Sequence, residues 1–249
     1  MSRRIPFGPD PHQSILPREG GRAVRSFDEI HALAEDHHGP SGVEEKLSRP
    51  VPAKELKSRT DAWWLGEMTK AVFQSGFSWK VIQAKWPGFE AAFDGFDPHT
   101  VAMYSDDDVA RLTSDTRIVR NGAKIMATVA NAQFVLATAK EHGSFGAFLA
   151  GWPVSDQAGL LEHFKQHASR LSGSTGQYFL RFTGWDAWIA SGDVVKALIR
   201  EGVIDKPPTS KTALKKMQAA FDVWREQSGR SQTEISRILA LSVGPSGEH

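Results

Sequence analysis

The stretch Asp61-Ala62-Trp63-Trp64-Leu65-Gly66-Glu67-Met68-Thr69-Lys70-Ala71-Val72-Phe73-Gln74-Ser75-Gly76-Phe77-Ser78-Trp79 decides the fold. Trp64, Leu65, Met68, Val72 and Phe73 recur at intervals of three and four residues, which lines them along one helical face. Gly76 stops that helix, and Ser78 is suited to cap the next, read from Trp79 to Trp86 before Pro87-Gly88. Runs alternating with period two, the mark of strands, are missing here and elsewhere in the chain.

Working outward, the same grammar repeats. Phe89, Phe93 and Phe96 lead to Asp97-Pro98, an N-cap followed by a proline at the first helical position. Ser105 caps a helix bearing Val109 and Leu112. The longest helix is read at Asn121 to Glu141, with Ile125, Val129, Ala132 and Leu136 on one face, closed by His142-Gly143. Ser155 and Asp156 begin a helix that holds Leu160, Leu161 and Phe164. A glycine-rich turn follows at residues 172–176, then helices at 177–183 and 193–201, a Pro207-Pro208 linker, and two last helices at Thr209–Gln227 and Ser231–Leu241. Toward the N-terminus a short helix covers Ser26 to Asp36. Residues 39–59 read as loop with one helical piece at Val43–Leu47, and residues 1–25 as a poorly ordered arm. The expectation is an all-α protein of about ten helices. It comprises an arm and short helix at 1–58, a helical domain at 59–242, and a disordered tail at 243–249.

Composition narrows the function classes. With 249 residues, 40 % hydrophobic and 24 % charged, the chain has the make-up of a globular protein. No run approaches the roughly 18 apolar residues of a membrane span. The first ten residues lack the apolar core of a secretory signal. A cytoplasmic monomer without a membrane partner is expected. Cysteine is absent, which excludes disulfides, thiolate metal sites and iron–sulfur clusters. A net charge of +1 excludes a protein coated in basic charge and leaves a local basic face open.

Six pieces in order carry a resemblance. Phe73-Gln74-Ser75-Gly76-Phe77-Ser78-Trp79 resembles the Q-x-G-x-S-W signature of the 3-methyladenine DNA glycosylase I family, within the helix-hairpin-helix DNA glycosylases. Ala92-Phe93-Asp94-Gly95-Phe96-Asp97-Pro98 is similar to its A-F-x-x-F-D-P, and Asp107-Asp108-Val109-Ala110-Arg111-Leu112 to its E-D-V-E-R-L. Ile118-Val119-Arg120-Asn121-Gly122-Ala123-Lys124-Ile125, Asn131-Ala132 and Gly143-Ser144-Phe145 follow in register. The resemblance implies two helical lobes with a cleft between them. It also implies hydrolysis of the N-glycosidic bond of an alkylated purine, of the 3-methyladenine type, flipped out of double-stranded DNA. Leu171-Ser172-Gly173-Ser174-Thr175-Gly176 takes the hairpin's place. There Gly173, Ser174, Thr175 and Gly176 bring backbone N–H groups to a phosphate, helped by a monovalent cation on hairpin carbonyls. A plain Gly/Ser loop is the alternative for that segment.

A cationic alkylated base stacks on an electron-rich indole, and Trp79 stands at the family's stacking position. Phe73, Gln74, Ser78 and Tyr178 complete the expected pocket, although Phe73 and Phe77 also read as packing residues. Arg120 and Lys124 fall in the matched block and are expected at phosphates. Lys80, Lys85, Arg117, Lys165 and the run Lys206, Lys211, Lys215, Lys216 are further basic candidates.

The chain departs from the family twice. The pocket glutamate, five residues before the signature glycine, is Ala71 here. Stabilising an oxocarbenium-like sugar and positioning a water is work for a carboxylate. Two replacements are in view: Glu67, one turn earlier on the same face, and Asp193, shortly after the hairpin. Each has a plain reading, Glu67 as a solvated helix residue and Asp193 as a helix cap. The family's zinc site needs cysteine, so no metal is expected; of the nine histidines, His37 and His38 are adjacent and form no i, i+4 pair. No lysine stands where bifunctional relatives form a Schiff base, and Tyr178 lies near that position, so monofunctional hydrolysis is expected. Two other readings stay open: a relative that binds damaged DNA without excising a base, favoured by Ala71, and a helical protein with a different ligand.

Overall fold

Fourteen α-helices and two 3-10 turns follow one another through residues 24–244, the part of the chain that the computed structural model describes, with no strand among them. They are α1 (Phe27–His38), α2 (Pro40–Glu44), α3 (Ala53–Ser58), α4 (Asp61–Gln74), α5 (Trp79–Ala92), α6 (Pro98–Val101), α7 (Asp106–Ser114), α8 (Gly122–His142), α9 (Phe145–Gly151), α10 (Gln157–His167), α11 (Gly173–Phe182), α12 (Gly192–Arg200), α13 (Lys211–Ser228) and α14 (Gln232–Leu241). The starts are written locally. Ser26, Ser105 and Ser231 accept from the third helical N–H while Glu29, Asp108 and Glu234 reach back to the cap backbone. Thr60, Asn121, Ser144, Ser191 and Ser210 cap α4, α8, α9, α12 and α13 with one side-chain bond each.

The helices enclose two hydrophobic cores. The smaller gathers Leu65, Phe73, Ile82, Phe89, Phe93, Phe96, Leu112, Ile118, Ile125 and Val129. Phe93 stacks on Phe96 at 5.5 Å, and Trp86 on Phe96 at 5.2 Å. The larger gathers Trp64, Met68 and Val72 with the aromatic and aliphatic faces of α9 to α14. Two helices serve both. On α4, Leu65 and Phe73 face one core while Trp64, Met68 and Val72 face the other. On α8, Ile125, Val129 and Ala132 face the first and Ala127, Phe134 and Val135 the second.

Several expectations are corrected. About ten helices were expected and fourteen are present among the described residues. The additions α3 and α9 are short and support each other: an added Cβ on Gly146 would lie 2.3 Å from the carbonyl oxygen of Leu56, so glycine permits the contact. The second helix of the signature does not stop before Pro87. It runs through it to Ala92, because Phe89 and Ala92 continue its buried face. The helix read at 177–183 begins at Gly173. Residues 27–58, read as a short helix followed by loop with one helical piece, form three helices that contribute Phe27, Ile30, Val43 and Leu56 to the larger core. Of the arm and tail themselves, residues 1–23 and 245–249 lie outside the described residues. At their inner ends, Val24 and Val243 pack on the larger core and Arg25 pairs with Glu201 at 3.0 Å.

Candidate active-site cleft and hairpin

Where α4, α5 and α11 meet, they leave a cleft of about 190 Å³. Glu67, Lys70, Ala71 and Gln74 of α4 form one wall, spaced so that one helical face presents them together. Trp79 and Gln83 of α5 line it as well. Phe179, Phe182 and Thr183, from α11 and its C-cap, close the remaining side. Trp79 is 45 % exposed, unusual for an indole in a helical protein so rich in buried aromatics. Its ring meets Phe182 edge-on at 5.0 Å and Tyr178 edge-on at 6.0 Å, and Tyr178 in turn stacks on Phe182 at 5.6 Å. A half-exposed indole with aromatic neighbours therefore shares the cleft with the polar α4 wall.

The polar wall holds one carboxylate and one ammonium. Lys70 Nζ donates to Glu67 Oε1 at 2.5 Å, the two side chains being 29 % and 19 % exposed, and the same Nζ lies 4.4 Å from the centre of the Trp86 ring. Glu67 is thus a cleft residue held by an ion pair, rather than a solvated helix residue. Asp193 is not among the residues that line the cleft. Its carboxylate sits on the first turn of α12, 47 % exposed and paired with Lys196 at 3.0 Å, while Ser191 does the capping.

Three other expected residues take different places. Phe73 is fully buried, edge-on to Phe89 at 4.8 Å in the smaller core, because its side chain leaves α4 on the face away from the cleft. Ser78 starts α5 without a side-chain cap bond and does not line the cleft. Phe77, read as packing, is 40 % exposed. Gln74 does line the cleft.

Lys124 is corrected most sharply. It is buried, and its Nζ donates to the carbonyls of Val72 at 2.8 Å, Phe73 at 3.3 Å and Ser75 at shorter range still. It caps the open C-terminal carbonyls of α4 and lies 4.7 Å from the centre of the Phe77 ring. All three N–H groups of an ammonium are thereby engaged, which leaves none for a phosphate. Burial, and then the charge of Arg170, push its pKa below the usual lysine range. Arg120 stays exposed, and no ion pair among the described residues engages it. Lys85 donates to the Thr116 carbonyl at 2.7 Å and Arg117 pairs with Asp115 at 2.7 Å, so both are tied to the smaller lobe.

Between α10 and α11 lies the five-residue turn 168–172. Asn131, fully buried on α8, clamps it. Its Oδ1 accepts from Ser169 N at 2.7 Å and its Nδ2 donates to Ser169 O at 3.1 Å. Gly173 has φ +61° with open space around it, and Ser174 is exposed at the N-terminus of α11. Gly176 is buried: an added Cβ would lie 2.3 Å from the Leu171 carbonyl oxygen. Gly173, Ser174 and Thr175 therefore form the accessible edge, and Gly176 lets the turn close against its own helix.

The residues that sequence reasoning missed are Lys70, Gln83, Phe182 and Asn131. A signal existed for Lys70, three residues after Glu67 and next to Ala71, the spacing of a helical ion pair. The histidine pair His163 and His167 also escaped notice. It lies one turn apart on α10 with ring centres 4.4 Å apart. Among the described residues no group of three or more His, Asp or Glu side chains is placed to hold a metal ion.

Residues 62–175, which include the α4–α5 wall and the turn, match the family model described as methyladenine glycosylase. The chain resembles the methyladenine glycosylases. Among curated proteins, the DNA-3-methyladenine glycosylase 1 of Escherichia coli (strain K12) is 40 % identical over 63 residues, 25 % of this chain and 34 % of that protein. The DNA-3-methyladenine glycosylase of Haemophilus influenzae is 32 % identical over 76 residues, 30 % of this chain and 41 % of that protein. The matches thus span between a third and somewhat over two fifths of those relatives. Among solved structures, the 3-methyladenine DNA glycosylase I of Staphylococcus aureus is 24 % identical, with 63 % of this chain and 85 % of that one covered and a TM-score of 0.47. The 8-oxoguanine glycosylase/lyase of Methanocaldococcus jannaschii is 11 % identical, covers 86 % and 94 %, and has a TM-score of 0.46. No helix of the described residues is long and apolar enough to cross a membrane.

Proposed function

We propose that the protein is a DNA glycosylase of the helix-hairpin-helix kind, acting as a cytoplasmic monomer, that hydrolyses the N-glycosidic bond of an alkylated purine flipped out of the duplex. The observation that carries this reading is the cleft that the half-exposed indole of Trp79 and the carboxylate of Glu67 line together, with α11 running from the turn to it. A base alkylated at N3 or N7 enters as a cation and stacks on the indole. The C1′–N bond breaks with its electron pair going to the base, which needs no further proton. Water oxygen bonds to C1′, and Glu67 takes the water's proton. The edge formed by Gly173, Ser174 and Thr175 offers N–H groups and a helix N-terminus to a backbone phosphate, with Arg120 as a second contact.

A second reading rests on Ala71. Because the wall has no carboxylate at that position and Glu67 is already paired with Lys70, the protein binds damaged DNA without releasing the base. Release of free methylated purines from alkylated duplex DNA separates the two. The expected result is release by the wild type, lost on Glu67→Gln and retained on Asp193→Asn. Damage-selective binding with no release from several lesions moves the assignment to the second reading, and release abolished by Asp193→Asn alone removes Glu67 from its role.

A further inference from the structure

We propose that His163 and His167 form a chelating site for a divalent transition-metal ion, and that the ion clips the last turn of α10 ahead of the turn 168–172. The inference stands apart from the DNA reading, since neither residue lines the cleft. His163-Phe164-Lys165-Gln166-His167 puts two imidazoles at i and i+4, on one face of the helix. Their ring centres lie 4.4 Å apart. A histidine pair at that spacing on a helix supplies two nitrogen ligands to one ion. Among the described residues no hydrogen bond or ion pair engages a ring nitrogen of either histidine. Each neutral ring therefore keeps a nitrogen lone pair for a ligand.

The two histidines divide the work. His163 is half-buried, and Phe148, Trp152 and Phe134 meet its ring at 5.3, 5.6 and 5.8 Å. Three aromatic neighbours hold that ring in place before an ion arrives, which lowers the ordering cost of binding. His167 is exposed at the end of α10 and has only its own side chain to order. A divalent charge there sits by the last carbonyls of the helix, the end at which the backbone dipole favours a cation. Imidazole suits zinc, nickel and copper, whereas magnesium and calcium take oxygen ligands. The carboxylate of α10, Glu162, is occupied by Gln166 at 3.1 Å. No third His, Asp or Glu among the described residues joins the pair. Waters of the ion's shell give way to the two imidazoles, and the remaining positions keep water. The site is separate from the cysteine-dependent zinc site of the resembling family, because it uses no cysteine and lies in mid-chain. Its consequence is local. A bridge from i to i+4 fixes the helical turn 163–167, whose fraying would loosen the segment that Asn131 clamps at Ser169.

The test uses the full chain without an affinity tag, stripped of metal by a chelator and titrated calorimetrically with zinc chloride in the absence of DNA. One zinc ion per chain is expected, and magnesium chloride should give no binding. His167→Gln changes an exposed side chain and leaves the aromatic packing of His163 alone. It should weaken zinc binding by about a hundredfold or more, the order of gain when two ligands are joined on one scaffold. His142→Gln, at the end of α8, where the ring also meets Phe148, should leave binding unchanged. No zinc binding by the wild type, or binding that His167→Gln leaves undiminished, overturns the site. An equal loss on His142→Gln would put a third imidazole on the ion and overturn the two-histidine site. Amide hydrogen exchange over residues 164–168 reads the clip, and zinc should slow it in the wild type but not in His167→Gln. Zinc binding that leaves this exchange unchanged overturns the clip and keeps the site. Because no DNA is present, failure of the excision reading leaves each of these outcomes as it stands.

Discussion

At the residue scale, the position that changes meaning most between sequence and structure is Lys124. Its place in a matched block suggested a phosphate contact, since nothing in a linear pattern reports burial. The fold turns it inward to close the C-terminus of α4, the helix that carries Glu67, Lys70 and Ala71. Lys124→Met should therefore cost about 1–3 kcal/mol of stability, the range for leaving buried carbonyls without a donor, as read by urea denaturation. DNA affinity in a binding titration should fall through the loosened Ser75–Trp79 turn, with no change in its salt dependence. A change in that slope would restore the phosphate contact. Asp115 supplies a pH prediction. The Arg117 side chain, then its backbone N–H, hold the Asp115 pKa at about 2, below the ordinary 3.8. Because the folded value is the lower one, this contribution is full above about pH 4 and is lost as pH falls toward 2. Asp115→Asn should lower the urea midpoint at pH 6 and leave it nearly unchanged at pH 2. Equal losses at both would place the effect in the backbone contact alone.

At the element scale, the two glycines of the turn separate geometry from conformation. Gly173 needs its positive φ but has room, whereas a methyl at position 176 meets the Leu171 carbonyl oxygen at 2.3 Å. Gly173→Ala should cost about 1 kcal/mol, the strain of a left-handed residue. Gly176→Ala should cost more, about 1–3 kcal/mol, as in an overpacked core, because the carbonyl it meets belongs to the same turn. Thermal melts order the two variants, and a Gly176→Ala protein as stable as Gly173→Ala would show that the turn can open. The long helices were legible because each carries its own cap and its own apolar face, as α4 does with Thr60 and Trp64, Met68 and Val72. The short ones were not. α3 and α9 exist through their mutual contact at Gly146, and α5 crosses Pro87 because packing downstream outweighs one lost hydrogen bond. Neither cause has a local signature.

At the scale of the whole molecule, the cleft was half legible. Trp79, Gln74 and Glu67 could be named because they lie within thirteen residues of one another on a readable pattern. Phe182 joins them through the packing of α11 and Gln83 from the next turn of α5, while Asn131 on α8 holds the turn. Asp193 lies outside the cleft lining, exposed on the first turn of α12 and paired with Lys196. Charge is the other property that belongs to the whole chain. The net value of +1 hides a division of labour among the cations. Arg25, Arg59, Lys70, Lys85, Arg117 and Lys124 are occupied by carboxylates or carbonyls. Arg120, within the matched block, and Arg170, in the turn, lie exposed. A protein that reaches duplex DNA through the turn and a few such cations should neutralise roughly four phosphates. The logarithm of its binding constant should then fall with the logarithm of salt concentration at a slope of about −3 to −4. Titrations between low and moderate salt measure this directly. A slope steeper than about −7 would require a second cationic surface on the DNA, with the stretch from Lys206 into the first turns of α13, which bears Lys211 and Lys215, as its source. A slope near zero would remove the duplex from the protein's partners and, with it, the reason for an open indole in the cleft.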